Sequence, residues 1–307
     1  MKKYKYSEIK GKETLTKLVN KVYNMQTYED VVPLEMTKAE AKEFARKHLA
    51  KSCMPLIPLE YRDDNEFMRD MITSHYPINE PSVMKYASER LRNDYEFCKF
   101  AIKHHKYHAT PWIGKKLLND PKFFIEVFNM NHYDTYDNVT MEDYATEANI
   151  AEDLMKKAGP AVLGDKKIIL RSLHRMTCKC GREVFASDLL WLRTIPVGFL
   201  NDKRYVLQMI RITPQVYDYL DTYLQDDPDI IYATCNSMLR HDVTRMPQYL
   251  RVRLSKSNSK LKRITKILGR LGETSQCEII RRARFNKAYE EFLAKEFKTT
   301  KGRSSVA

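Results

Sequence analysis

Apolar residues recur along this chain in a fixed frame behind six aspartates: Asp64, Asp94, Asp120, Asp165, Asp202 and Asp227. Three residues on come Phe67, Phe97, Phe123, Ile168, Tyr205 and Ile230; four on come Met68, Cys98, Phe124, Ile169, Val206 and Ile231. Eight on come Ile72, Ile102, Phe128, Leu173, Ile210 and Cys235. Offsets of three, four and eight share one side of an α-helix, so each copy predicts an amphipathic helix starting at its aspartate. A carboxylate there accepts from the free N–H groups of the first turn and meets the positive end of the helix dipole, a cap worth about 1 kcal/mol. Pro121 and Pro228 directly follow their aspartates, at the first helical position, where the missing N–H costs no bond.

A second, shorter helix is expected between caps. Pro81 to Leu91 shows it best, with Val83, Met84, Ala87 and Leu91 on one side. A leucine closes most units just before the next cap: Leu91, Leu118, Leu163, Leu200 and Leu224. The caps are 30, 26, 45, 37 and 25 residues apart. The shorter intervals fit one helical hairpin each; the longest is close to two, and Thr140 to Leu154 is expected to supply a degenerate hairpin there. No hairpin buries its stripe alone, so the units are expected to stack. The fold expected is all-α, an irregular α-solenoid of six or seven hairpins.

Two flanks complete it. In 1–58, Leu15, Leu18, Val19 and Val22 predict one helix, and Thr37 with Glu40 forms a capping box for a second, running to about Lys51. Pro55 and Pro58 then punctuate. This piece is expected to be an N-terminal helical cap, followed by the array over 59–240 and a basic helical segment over 241–307.

The run Tyr86-Ala87-Ser88-Glu89-Arg90-Leu91-Arg92-Asn93-Asp94-Tyr95-Glu96-Phe97 resembles the unit of a bacterial and phage domain-of-unknown-function family built of short tandem helical repeats. The likeness is good from Arg62 to Met130 and weak from Gly164 to Cys235, where Gly164-Asp165 lacks the Asn-Asp pair. The resemblance implies a helical-repeat fold and a phage or bacterial setting. It implies no catalytic residue.

Composition agrees with helix over sheet. Glycine is scarce, 9 of 307 residues, against a usual level of roughly 7%, and neither a GxGxxG nor a Walker-type loop is present. No apolar run is long enough to span a bilayer, and the lysine-rich start lacks a signal peptide's apolar core. Six scattered cysteines then read as reduced thiols in a cytoplasmic protein.

Charge changes the picture at one end. The net charge is +13. From Arg240 onward there are 18 Lys+Arg against 6 Asp+Glu, while the preceding 239 residues hold 35 against 34. After a linker at Ser255–Ser259, Leu261, Ile264, Leu268 and Leu271 form a stripe, and Ser275 with Glu278 caps a second helix carrying Ile280, Ala283, Ala288 and Phe292. Around these lie Lys260, Lys262, Arg263, Lys266, Arg270, Arg281, Arg282, Arg284 and Lys287, the residues expected to contact nucleic acid or another acidic partner. A solvated hairpin packed on the last repeat explains the same residues without a ligand. The expected function is a non-enzymatic macromolecule-binding scaffold with a protein partner. The alternative is a nucleic-acid-binding protein making sequence-independent backbone contacts through the basic hairpin. No cofactor and no small-molecule substrate is expected.

The remaining chemistry is sparse. Cys178 and Cys180, with His174 four residues earlier, fall short of four zinc ligands and have one residue between them, where two to four is usual. A turn with Gly181 as a left-handed cap explains them as well. His174, Cys178, Cys180 and Asp188 carry no oxyanion-hole signature beside them. The run Lys103-His104-His105-Lys106-Tyr107-His108 falls at a helix C-terminus, where cations are favoured. Glu142, Asp143, Glu147, Glu152 and Asp153 read as a solvated helical face.

Overall fold

In the computed structural model, residues 3–25, 31–48, 53–74, 82–130, 141–177, 186–240 and 246–250 are described. Among them the chain is helical and forms no strand, only a single β-bridge between Lys5 and Glu35. No described helix is long and apolar enough to cross a membrane. The chain divides after Val162 into two compact units.

The first unit opens with α1 (Tyr6–Ile9), α2 (Glu13–Tyr23) and α3 (Lys38–His48). Leu15, Leu18, Val19 and Val22 of α2 are buried together, as their spacing predicts. The capping box starts α3: Thr37 N donates to Glu40 Oε2 at 2.8 Å and Glu40 N to Thr37 Oγ1 at 3.3 Å. Then come α4 (Leu59–Arg62), α5 (Asn65–Ser74), α6 (Glu89–Arg92), α7 (Tyr95–His105), α8 (Lys115–Leu118), α9 (Pro121–Asn129), α10 (Met141–Lys157) and α11 (Pro160–Leu163). Here α3 packs on α5, α5 on α7 and α7 on α9. The second unit holds α12 (Lys166–Met176), α13 (Val197–Asn201), α14 (Lys203–Ile212), α15 (Thr222–Gln225) and α16 (Pro228–Arg240), with α12 packing on α14 and α14 on α16.

All six aspartates cap the long helices. Asp64 and Asp94 accept from Phe67 N and Phe97 N at 2.8 and 2.7 Å; Asp120 accepts from Lys122 N at 2.9 Å. Asp165, Asp202 and Asp227 accept from Lys167 N, Arg204 N and Asp229 N at 2.8, 3.1 and 2.9 Å. Every residue at offsets three, four and eight is buried. At about 1.5–3 kcal/mol for each large apolar side chain removed from water, these three positions contribute strongly to packing a repeat on its neighbours.

The rest of the repeat departs from a hairpin. Pro81–Leu91 does not make one helix. Val83–Tyr86 is a 3-10 turn whose start is capped by Ser82, Ala87 is extended, and Ser88 caps the separate one-turn helix α6 by accepting from Leu91 N. Two serine caps within seven residues force two starts. The repeat is therefore a 3-10 turn, a one-turn helix and an aspartate-capped long helix. The closing leucines occupy two frame positions, three residues before the aspartate for Leu91 and Leu224 and two before it for Leu118, Leu163 and Leu200. In the long interval, α10 is one continuous 17-residue helix rather than a hairpin. It packs on the 3-10 turns Lys106–His108 and Thr110–Trp112, which substitute for a second helix.

Consecutive repeats of the first unit are joined by backbone. Ser88 N donates to Arg62 O at 3.1 Å, Gly114 N to Arg92 O at 2.7 Å and Gly159 N to Leu118 O at 2.7 Å. Each donor directly precedes a one-turn helix, and each acceptor ends the previous one. The asparagine before the capping aspartate adds a second link: Asn93 Oδ1 accepts from Lys116 N at 3.0 Å, and Asn119 Oδ1 from Ala161 N at 2.9 Å. The Asn-Asp pair thus caps two helices, its own long one and the next repeat's short one. A Cβ on Gly114 or Gly159 would come closer than 3.0 Å to the side chain of Asn93 or Asn119. At Ser88, the hydroxyl bonds Asp63 instead.

A lysine after the cap makes another link. Lys166 Nζ reaches Asp202 at 2.7 Å, and Lys203 Nζ reaches Asp227 at 2.8 Å. Lys38 of α3 does the same to Asp64 at 2.8 Å, so the N-terminal piece joins the first repeat by the device the later repeats share. In the second unit Asp218 also accepts from Gln248 N and Tyr249 N, at 2.9 and 3.0 Å.

Candidate functional site

The first two residues of each one-turn helix point to solvent in all six repeats. These pairs are Leu59-Glu60, Glu89-Arg90, Lys115-Lys116, Pro160-Ala161, Val197-Gly198 and Thr222-Tyr223, all exposed. The frame demands nothing of them, and no two pairs are alike. Val197 at 70% exposure and Leu59 at 67% are the most exposed large apolar side chains.

The third pair lies in the most basic described stretch. Between Phe97 and Ile125 there are six lysines and one carboxylate, Asp120. Lys99 is committed to Glu126 at 2.7 Å. Lys115 and Lys116 carry no ion pair among the described residues. Beside them, the half-buried Trp112 closes the 3-10 turn Thr110–Trp112, and Lys85 Nζ from the preceding repeat stands 5.6 Å from its ring centroid. Thr110 Oγ1 holds that turn by donating to Tyr107 O at 2.8 Å and Asp153 Oδ2 at 3.1 Å.

Two sequence candidates meet at this junction. His105 is fully buried rather than a solvated cation. Its Nε2 is 2.9 Å from Ile72 O, which can only accept, and its Nδ1 is 2.7 Å from the Ser82 hydroxyl. A neutral ring satisfies both contacts. The residue staples the ends of α5 and α7, with both nitrogens occupied. His104 packs against Phe100 with the rings tilted, and Tyr107 stacks on His108, while burial lowers the pKa of His108. Lys106 ends α7 at a φ of 51°, a left-handed conformation uncommon for a side chain of this size. On α10, Glu147 is buried, Asp153 accepts from Thr110 and Glu152 pairs with Lys156 at 2.5 Å. These carboxylates are not all a solvated face: Glu147 is buried and Asp153 bonds the Thr110–Trp112 turn. Glu142 and Asp143 have side chains outside the described residues.

Thiol chemistry is suppressed where it can be seen. Cys53, Cys98 and Cys235 are buried. Burial pushes the Cys235 thiol up to about 12 and raises Cys98 as well, so neither offers a thiolate near neutral pH. The caps behave oppositely. Lys38, then Phe67 N–H, hold Asp64 below the usual carboxylate range; Lys166, then Tyr205 N–H, do so for Asp202. At Asp227, burial pushes upward, but Lys203 and two backbone N–H groups together outweigh it and leave the pKa lowered.

Lys260, Lys262, Arg263, Lys266, Arg270, Arg281, Arg282, Arg284 and Lys287 lie outside the described residues, as do the linker, the predicted basic hairpin, Cys178, Cys180 and Gly181. His174 is exposed near the end of α12 and Asp188 is half-buried. Among the described residues no three His, Cys, Asp or Glu side chains gather as a metal site would require. Sequence reasoning missed the meeting of Lys85 with Trp112, a few residues before the exposed Lys115 and Lys116. Its signal was available: Lys85 and Trp112 lie nine and eight residues before successive capping aspartates, so stacking brings them together.

A family model described as a domain of unknown function (DUF4116) matches residues 64–118. That stretch begins at the first capping aspartate, contains the Asn93-Asp94 pair and ends with α8. No curated protein and no solved structure matches the chain.

Proposed function

We propose that this protein is a non-enzymatic helical-repeat scaffold that binds a macromolecular partner along a row of outward-facing residues. In this reading the repeats continue as an irregular solenoid, in a cytoplasmic, bacterial or phage setting, and the basic segment 241–307 adds an electrostatic hold on an acidic partner. One observation carries it: the buried frame is filled by apolar residues six times over, while the twelve exposed residues beginning the one-turn helices differ in every repeat. A fold needs the first pattern; the second is the freedom a recognition surface uses. The test is capture of partners with the full chain, with and without nuclease. It is repeated with Glu89, Arg90, Val197 and Tyr223 replaced by alanine. A partner retained by the native chain after nuclease and lost by the variant, with unchanged helicity, supports the scaffold. Equal retention by both sinks it.

The second reading, sequence-independent nucleic-acid binding through the basic end, is favoured by the charge asymmetry after Arg240. It predicts affinity falling steeply between about 50 and 200 mM salt and lost when the arginines and lysines beyond Lys260 are neutralised. Absence of binding at the lower salt rejects it.

A further inference from the structure

We propose that the face built by Lys85, Trp112, Lys115 and Lys116 binds single-stranded nucleic acid, with a base stacked on the Trp112 indole and phosphates held by the lysines. The proposal assigns no role to the basic C-terminal residues. The inference rests on the scaffold reading only in using outward positions of one-turn helices. Four observations support it. Lys115 and Lys116 are exposed and lack an ion pair among the described residues, so their charge is available. Trp112 is half-buried, so part of the indole reaches solvent. The turn is held by Ile113 N donating to Thr110 O and by Thr110 bonding Asp153, so the indole is a positioned platform. Lys85 arrives from the neighbouring repeat with its Nζ over that ring, 5.6 Å from the centroid, placing a cation against the platform.

Stacking platforms flanked by lysines suit single strands because every base has a flat face and an unpaired strand can splay it out. A duplex keeps its bases stacked internally and offers the indole nothing. An acidic protein satisfies the lysines but leaves the ring unused. Lys115 and Lys116 follow Trp112 by three and four residues, at most about 14 Å of extended chain, so ring and charges can engage one short stretch of strand.

The chain carries its own reporter. It has two tryptophans, and Trp191 is only 3% exposed, so quenching by a bound base reports on Trp112. The experiment titrates the full chain with a short oligothymidylate at about 50 mM salt, following tryptophan fluorescence and, separately, anisotropy of the labelled strand. Saturable quenching is expected. Lys115→Glu with Lys116→Glu should abolish it, or lower the log–log salt slope by about 1.4 for two lost phosphate contacts. Trp112→Ala should weaken anisotropy-detected binding by about 5- to 150-fold, the equivalent of one stacked base. Replacing Arg281, Arg282 and Arg284 with alanine should leave the quenching in place. The proposal is overturned by no quenching, by a double lysine variant that leaves both quenching and salt slope unchanged, by quenching that disappears with the arginine variant, or by equal quenching with polyglutamate. A flat titration would leave a nuclease-resistant protein partner standing, so the two readings fail separately.

Discussion

Replacing Gly114 with alanine tests the link between repeats. Gly114 has φ −73° and ψ 154°, a conformation any residue adopts, so backbone strain is not at issue. The obstacle is the Asn93 side chain, which a Cβ would approach closer than 3.0 Å. Asn93 must swing away and surrender its bond to Lys116 N, a capping contact of about 1 kcal/mol. If the chain shifts instead, the Gly114 N to Arg92 O bond at 2.7 Å lengthens, at about 0.5–1.5 kcal/mol. Against this, alanine reduces the freedom of the unfolded chain and returns about 0.4–1 kcal/mol. The net expectation is a loss of up to about 1 kcal/mol. Asn93→Ala alone should cost about 1 kcal/mol. The double variant is decisive: with Asn93 shortened the overlap is gone, so it should be no less stable than Asn93→Ala. Urea unfolding followed by far-UV dichroism gives the overall midpoint, and Trp112 fluorescence reports this repeat. Additive losses in the double variant would refute the clamp.

Other outcomes follow from the same geometry. Asp94→Ala should destabilise by about 1 kcal/mol and Asp94→Ser should restore most of it, since serine still accepts from Phe97 N; equal effects in thermal melts would argue against a capping role. The lowered carboxylates Asp64, Asp202 and Asp227 stabilise the fold above their unfolded pKa, near 3.9, and that contribution is lost as pH falls through the folded values. Acid unfolding monitored by dichroism should therefore begin below about pH 4, and stability that stays flat there would contradict it. Cys53, Cys98 and Cys235 should resist a thiol reagent at mildly alkaline pH until denaturant is added; rapid labelling of any of them in the native protein, read by peptide mass, would show the burial to be wrong.

The sequence determined the six aspartate-capped helices, though not the continuous α10. An aspartate followed by apolar residues at three, four and eight is a local code: the cap needs only its own first turn, and the stripe needs only helical period. The same locality located α2 and the Thr37–Glu40 box. Tertiary structure decided what those helices meet. Nothing local distinguishes a leucine two residues before the cap from one three before it, and nothing local makes His105 a buried staple, because its partners Ser82 and Ile72 lie 23 and 33 residues away. The Asn93-Asp94 pair was visible, but the role of its asparagine needed Lys116 and Gly114 from the next repeat. Trp112 became a candidate platform only when stacking brought Lys85 to its ring. Helix periodicity is written within a few residues, whereas burial, clamping and shared surfaces depend on contacts about one repeat apart.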